Sequence, residues 1–275
     1  MTSLGINDHL SFMMQNREGK TAWDSSACLY VPPAGSSVLP TRARCLAIKA
    51  LLELCNLPYQ CKELANAEFM SHSGQIPVLV EGKTTSCGFD EIVAHFHFHE
   101  LLPSSDLPAP AKLDIKAFSA LVHGKLFAAE VFSAWCVPGN AKVSCCTYGN
   151  SLPFPLNFVL TWRKKKRAQD LCIAVFSSCR PEQVYGDAAE VCRTLSLRLG
   201  SAEFYGDVRP TELDALVCSH LQCILDMDES LPDRTLVDCV KKHGNLVEYC
   251  ARMAQRCLIA QGQDNGSTAQ HESHS

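Results

Sequence analysis

The spacing of apolar residues changes character once along this chain. Before Pro103, short apolar runs alternate with single helical stripes; beyond Pro110, apolar residues fall almost everywhere in steps of three and four. Cys28-Leu29-Tyr30-Val31 predicts a first strand, ended by Pro32-Pro33. Thr41, after Pro40, is placed to cap a helix whose inner face is Cys45, Ile48, Leu52 and Cys55, and Tyr59 to Leu64 predicts a second strand. Gln75-Ile76-Pro77-Val78-Leu79-Val80 is an apolar run opened by proline, which has no N–H for a ladder and so belongs at the first residue of a strand. Gly82 supplies a turn into Thr84-Thr85-Ser86, completing a hairpin, and Phe89, Ile92, Val93 and Phe96 return to helical spacing. Strand, helix, strand, hairpin, helix predicts a thioredoxin-like layout, in which a helix links two parallel strands and an antiparallel hairpin completes the sheet.

The second part reads as all-helical. Stripes occur at Phe118, Leu121 and Val122; at Val184, Ala188, Val191 and Leu195; and at Leu246, Cys250, Met253 and Cys257, with Leu171 to Phe176 as one further strand candidate. Between them, Thr211-Glu212-Leu213-Asp214 precedes a stripe of Leu213, Leu216, Val217, Leu221 and Ile224. Here the Thr211 hydroxyl can accept a first-turn N–H while the Asp214 carboxylate reaches back to the cap's own N–H, which is a capping box. The expected organisation is a flexible arm at 1–23, a thioredoxin-like domain at 24–102, an all-helical domain at 108–260 and a disordered tail at 261–275.

Composition narrows the function classes. With 275 residues there is room for two modest domains, and 47% hydrophobic with 20% charged residues is ordinary for a globular protein. A net charge of -4 gives no general attraction to nucleic acid, which is excluded as a partner class. The sixteen cysteines include no Cys-x-x-Cys pair and follow no secretory leader, so they read as reduced, buried small hydrophobes rather than a disulfide framework, and no metal or cofactor site is predicted. No stretch approaches the ~18 to 20 apolar residues of a membrane span.

Candidate chemistry lies in a few places. His95-Phe96-His97-Phe98-His99 puts His95 and His99 on one helical face and His97 on another, a surface or half-buried pair rather than a ligand set. Arg163-Lys164-Lys165-Lys166-Arg167 is the one dense charge run; a solvated helix face is its plain reading, and contact with anionic lipid headgroups its sharper one. Just before it, Tyr148, Pro153, Phe154, Pro155 and Trp162 suit a shaped contact with a partner, or part of a domain interface. The strand at Pro77 is a second candidate surface, as an edge to which an extended chain could add.

A proline-opened hairpin followed by a later capping-box helix resembles glutathione-transferase-like proteins. Three ordered blocks resemble the metaxin family more closely, and its metaxin 2 branch most of all. These are Asn56-Leu57-Pro58 with residues 65–77, Tyr148-Gly149-Asn150-Ser151-Leu152-Pro153-Phe154-Pro155-Leu156-Asn157, and Pro210-Thr211-Glu212-Leu213-Asp214-Ala215-Leu216-Val217. The resemblance implies a glutathione-transferase-like pair of domains, thioredoxin-like then helical, peripheral on the cytosolic face of the mitochondrial outer membrane. It implies a non-catalytic subunit of the sorting and assembly machinery, in protein import and β-barrel insertion. The implied partners are a metaxin 1-like protein that holds the subunit in place, an outer-membrane β-barrel assembly protein, precursor polypeptides and the outer-membrane surface.

Two other classes remain in view. A cytosolic glutathione transferase shares the fold, and in those enzymes an acidic or Gln residue followed by Ser, before the helix after the fourth strand, binds the γ-glutamyl group. The matching positions here are Gly88 and Phe89, with neither carboxylate nor hydroxyl, although Ser37 and Thr41 lie near the place where those enzymes stabilise the glutathione thiolate. A redox sensor using some of the many thiols is the third class.

Overall fold

The computed structural model describes residues 23–176, 179–207, 209–227, 229 and 231–264, with side chains as far as 255. Four strands, β1 (Cys28–Val31), β2 (Gln60–Glu63), β3 (Val78–Glu81) and β4 (Thr84–Cys87), form one sheet in the order β2-β1-β3-β4. β1 pairs parallel with β2 and antiparallel with β3, and β3 pairs antiparallel with β4 through the turn at Gly82, whose φ is +56°. This is the thioredoxin-like layout. The parallel pair is joined by α1 (Thr41–Leu54), the β2–β3 connection contains the single turn α2 (Ala67–Met70), and α3 (Gly88–Phe98) follows the hairpin.

The helical part begins with α4 (Ala109–Leu121), which runs through a π-helical turn at Val122–Leu126 into α5 (Phe127–Trp135). Then come α6 (Pro138–Gly149), α7 (Leu156–Phe176), α8 (Pro181–Leu199), α9 (Glu212–Leu225), α10 (Thr235–Lys241) and α11 (Gly244–Asp264). Prolines at the first position of α6 and α8 suit a site where the missing N–H costs nothing. No single helix among the described residues is long and apolar enough to cross a membrane. The stretch from α4 through α5 and the following α6, bent by 86° where they meet, are long and apolar enough only when taken together, and Ala128 to Trp135 are all buried in the protein core.

One continuous core joins the two parts. Leu29, Val31 and Leu79 leave one face of the sheet to meet Ile48, Leu51 and Leu52 of α1, which packs on Leu213, Leu216 and Val217 of α9. On the opposite face Val78 and Cys87 form a small cluster with Ala67 and Ile76. Helix α9 is buried from Glu212 to Leu221 and is tied at both ends of that stretch. At its start the capping box forms: Asp214 accepts from the Thr211 N–H at 2.8 Å and the Thr211 hydroxyl at 3.0 Å, and also from the Tyr205 N–H at 2.8 Å and the Tyr249 hydroxyl at 3.1 Å. Burial pushes the Asp214 carboxyl up, and those four donors oppose the shift. Further along, fully buried His220 meets fully buried Glu130 of α5 at 2.8 and 2.9 Å from Nδ1. Burial raises the Glu130 carboxyl, and the charges of His220 and Arg44 work against it.

Four expectations are corrected. Thr41 is the first helical residue rather than the cap, which is Pro40. Leu171 to Phe176 is helical, the last turns of α7, with Cys172 and Phe176 on its buried side. Pro77 does not lead an edge strand: β3 is covered by β1 on one side and β4 on the other, so no extended chain can add there. The outer edges are β2, whose four residues are all exposed, and β4. Helix α11 continues past Gln261 to Asp264, where the tail was expected to have begun. The arm lies outside the described residues except for Trp23, and the tail beyond Asp264 lies outside them too.

Candidate functional site

The corner beside Pro77 bears on the enzyme question. The Ile76–Pro77 peptide is cis, and the Pro77 carbonyl accepts the Gly88 N–H at 2.8 Å, which places the start of α3 against the start of β3. Gly88 has φ +77°, and an added Cβ would sit 3.1 Å from the Gln75 Cβ, so a bare backbone is required there. Ser36, Thr41, Ser151 and the acid Glu68 do line a space near Ile76, but its volume is only about 20 Å³. That holds roughly one water, whereas ligand pockets run to several hundred Å³.

What fills the corner is a contact between the two parts of the molecule. The Tyr148 hydroxyl at the end of α6 donates to Glu68 of α2, and Lys164 Nζ of α7 lies 2.7 Å from the other Glu68 oxygen. Burial alone would raise the Glu68 carboxyl, but Lys164 and Tyr148, with Arg167 farther off, hold it below its ordinary value. Burial and that carboxylate push the Tyr148 phenol up. Tyr148 also meets Trp135 edge to face at 6.0 Å. The sequence suggested Tyr148 for a partner contact or a domain interface and Lys164 for a solvated helix face or lipid; Tyr148 lies in the interface, and Lys164 faces inward beside it, so that both join α6 and α7 to the thioredoxin-like part.

The outer side of the same segment is different. Pro153 and Pro155 are exposed in the turn leading into α7, and Phe154, Phe158 and Trp162 are 81%, 68% and 64% exposed. Phe154 and Phe158 meet edge to face at 6.1 Å, and Lys166 Nζ sits 5.7 Å from the centre of the Trp162 ring. Steps of three and four carry this row along one helical face through Phe158, Trp162, Lys165, Lys166 and Gln169 to Ile173, which is 56% exposed. Arg163 and Arg167 flank it and are exposed. A groove of about 780 Å³ runs beside the row, between Trp162, Lys165 and Ile173 and the turn at Cys136 to Pro138. Single exposed apolar residues are ordinary, but a continuous aromatic row edged with cations is the form an interaction surface takes.

Elsewhere, a groove of about 1300 Å³ between α3 and α4 has a mixed lining that includes Asp90, Lys116, Glu212 and His123. Burial holds the His123 imidazole down at about 4, against the pull of Asp90, so it is neutral at physiological pH. His95 and His99 do pair, with ring centres 4.7 Å apart, and His95 Nε2 lies 2.6 Å from Glu81 at the end of β3, a partner the spacing of histidines alone does not reveal. All cysteines from Cys28 to Cys250 are free thiols. One cluster that no motif signals brings His72, Cys87 and Glu91 together.

The likeness to known proteins follows the same division. The chain is 33% identical over 236 residues to metaxin-2 of Mus musculus, a match covering 85% of this chain and 89% of that protein. The chain belongs to the metaxin family. Metaxin-2 of Homo sapiens is 32% identical over 243 residues, 87% of this chain and 92% of the relative. Metaxin-1 of Mus musculus is 31% identical over 218 residues, 76% of this chain and 68% of that relative. Residues 45–165 of this metaxin-family chain match the family of outer mitochondrial membrane transport complex proteins, and residues 188–253 match the glutathione S-transferase C-terminal domain. Among solved structures it resembles glutathione transferase GSTFuA2 from Phanerochaete chrysosporium, with TM-score 0.55 at 15% identity over 84% of this chain and 97% of the other. At that identity the likeness shows the fold alone: a thioredoxin-like domain followed by a helical domain of glutathione-transferase type.

Proposed function

We propose that this metaxin-family chain is a non-catalytic, metaxin-2-like subunit of the sorting and assembly machinery of the mitochondrial outer membrane, serving protein import and β-barrel insertion from the cytosolic face. The observation that carries the reading is the filled corner beside Pro77. A transferase needs an open hollow there, and Glu68, Tyr148 and Lys164 occupy it. The match of residues 45–165 to outer mitochondrial membrane transport complex proteins supports the location, and the metaxin-1 likeness supports a family in which related chains work together.

In this reading the outer row of α7 rests on the membrane. Phe154, Phe158 and Trp162 sit at headgroup depth, where aromatic rings with an apolar body are favoured, and Arg163, Lys165, Lys166 and Arg167 face anionic lipid. Four such cations position a peripheral protein without anchoring it, so a metaxin 1-like partner and an outer-membrane β-barrel assembly protein supply the rest of the attachment. Affinity purification of the tagged chain from mitochondria is expected to recover both partners together with precursor polypeptides. Recovery of neither partner, or conjugation activity with reduced glutathione, would reverse the assignment in favour of a transferase.

A further inference from the structure

Three elements with no common sequence signature meet at the junction of β4 and α3. Cys87 is the last residue of β4 and the cap of α3, Glu91 lies one turn into that helix, and His72 comes from the turn after α2. The Cys87 thiol lies 3.8 Å from His72 Nδ1, and His72 Nε2 lies 3.4 Å from Glu91 Oε1. Taking one ligand atom from each residue, all three fall within 4.8 Å of one another.

The two carboxylate oxygens of Glu91 have separate tasks. Oε2 accepts the Cys87 N–H at 2.8 Å, which fixes the side chain against the strand end, while Oε1 faces the histidine. Cys87 is buried in the cluster of Ala67, Ile76 and Val78, so its sulfur has a defined position. The His72 side chain is 63% exposed, leaving its ring free to turn either nitrogen inward and leaving solvent access to the centre of the group. Thiolate, imidazole and carboxylate are the donors that bind zinc. At Zn–S of about 2.3 Å and Zn–N or Zn–O of about 2.0–2.2 Å, tetrahedral ligands stand roughly 3.3 to 3.8 Å apart. The 3.8 Å and 3.4 Å contacts run to different ring nitrogens of His72, so one ion takes a single nitrogen, and with the three donor atoms within 4.8 Å a small turn of the exposed ring brings that nitrogen into range of both Cys87 and Glu91. One thiolate and one carboxylate also balance the charge of a divalent ion, which matters beside the positive end of a helix.

We propose that His72, Cys87 and Glu91 form a divalent-metal site, zinc by its donor set, with water as the fourth ligand. The ion ties the turn after α2 to the start of α3, and binding releases the Cys87 thiol proton. Neither the membrane row on α7 nor the filled corner depends on it, so failure here leaves the proposed function standing.

Cobalt(II) is the probe. Added to the reduced, chelator-treated full chain, it is expected to bind at one equivalent, with a thiolate-to-cobalt charge-transfer band and tetrahedral d–d absorption, both erased by one equivalent of zinc. Cys87→Ser should abolish the charge-transfer band. Because Cys87 is buried, the deciding variants are His72→Ala and Glu91→Gln, with circular dichroism confirming the fold; each should weaken binding by about tenfold or more. The proposal is overturned by the absence of a band in the parent chain. It is equally overturned by an unchanged affinity in His72→Ala, which would place the metal on other thiols such as exposed Cys61 and Cys146.

Discussion

Helix α7 has two faces made from one stretch of sequence, and they do opposite things. Its inner row, Lys164, Ala168, Cys172 and Phe176, runs into the core and the Glu68 contact; its outer row, Phe158, Trp162, Lys166 and Ile173, is exposed along the groove. The five-residue basic run is split by this geometry. Lys164 pairs with the half-buried Glu68, while Arg163, Lys166 and Arg167 are exposed and Lys165 is half-buried beside the groove. Composition therefore does not assign a role to a charge run; the phase of the helix does.

The sharpest break of the comparison is to delete one ring from each face. Phe176→Ala should cost about 3–5 kcal/mol of unfolding free energy, since Phe176 is buried and leaves a cavity. Urea denaturation reads that as a lower midpoint. Next, neutralising Arg163, Lys165, Lys166 and Arg167 to Gln should remove up to about 4 kcal/mol of attraction to anionic vesicles at about 1 kcal/mol each, with the urea midpoint unmoved. Vesicle flotation equal to that of the parent chain would remove the lipid role.

Glu68→Gln should cost about 1–2 kcal/mol, because Lys164 loses its counter-charge in a partly buried seam. It should also change the acid limb of stability. The Glu68 carboxyl lies below its ordinary value of 4.5 when folded, so its contribution is complete above that pH and is lost as pH falls through the folded value. The variant should show a smaller loss of stability below that pH than the parent; identical acid limbs would mean that the contact carries no weight. Smallest is Phe158→Ala on the outer face, within about 0.5 kcal/mol on stability. A larger loss would show that the outer row packs against something within the molecule.

Much of the fold was legible because local rules are strong where one element decides its own shape. The first strand at Cys28–Val31, the turn at Gly82 and the helical stripes after Gly88 and Thr211 all follow from spacing, proline and glycine. The capping box is of this kind, needing only residues three apart. Leu171 to Phe176 shows the limit of short windows. Six apolar-rich residues fit strand or helix equally, and continuity with the preceding turns of α7 settles the matter.

The sequence by itself determined most of the strands and helices, that the sheet precedes the helices, and that the chain carries the marks of its family, since each of these rests on neighbours within a few positions. Only the tertiary structure decided that Pro77 leads an inner strand, that Tyr148 and Lys164 fill the corner beside it, and that His72, Cys87 and Glu91 come together. Those facts depend on the order of strands in the sheet and on contacts between residues up to ninety-six positions apart. Chain spacing does not encode such distances, because the path between two residues is set by everything packed between them.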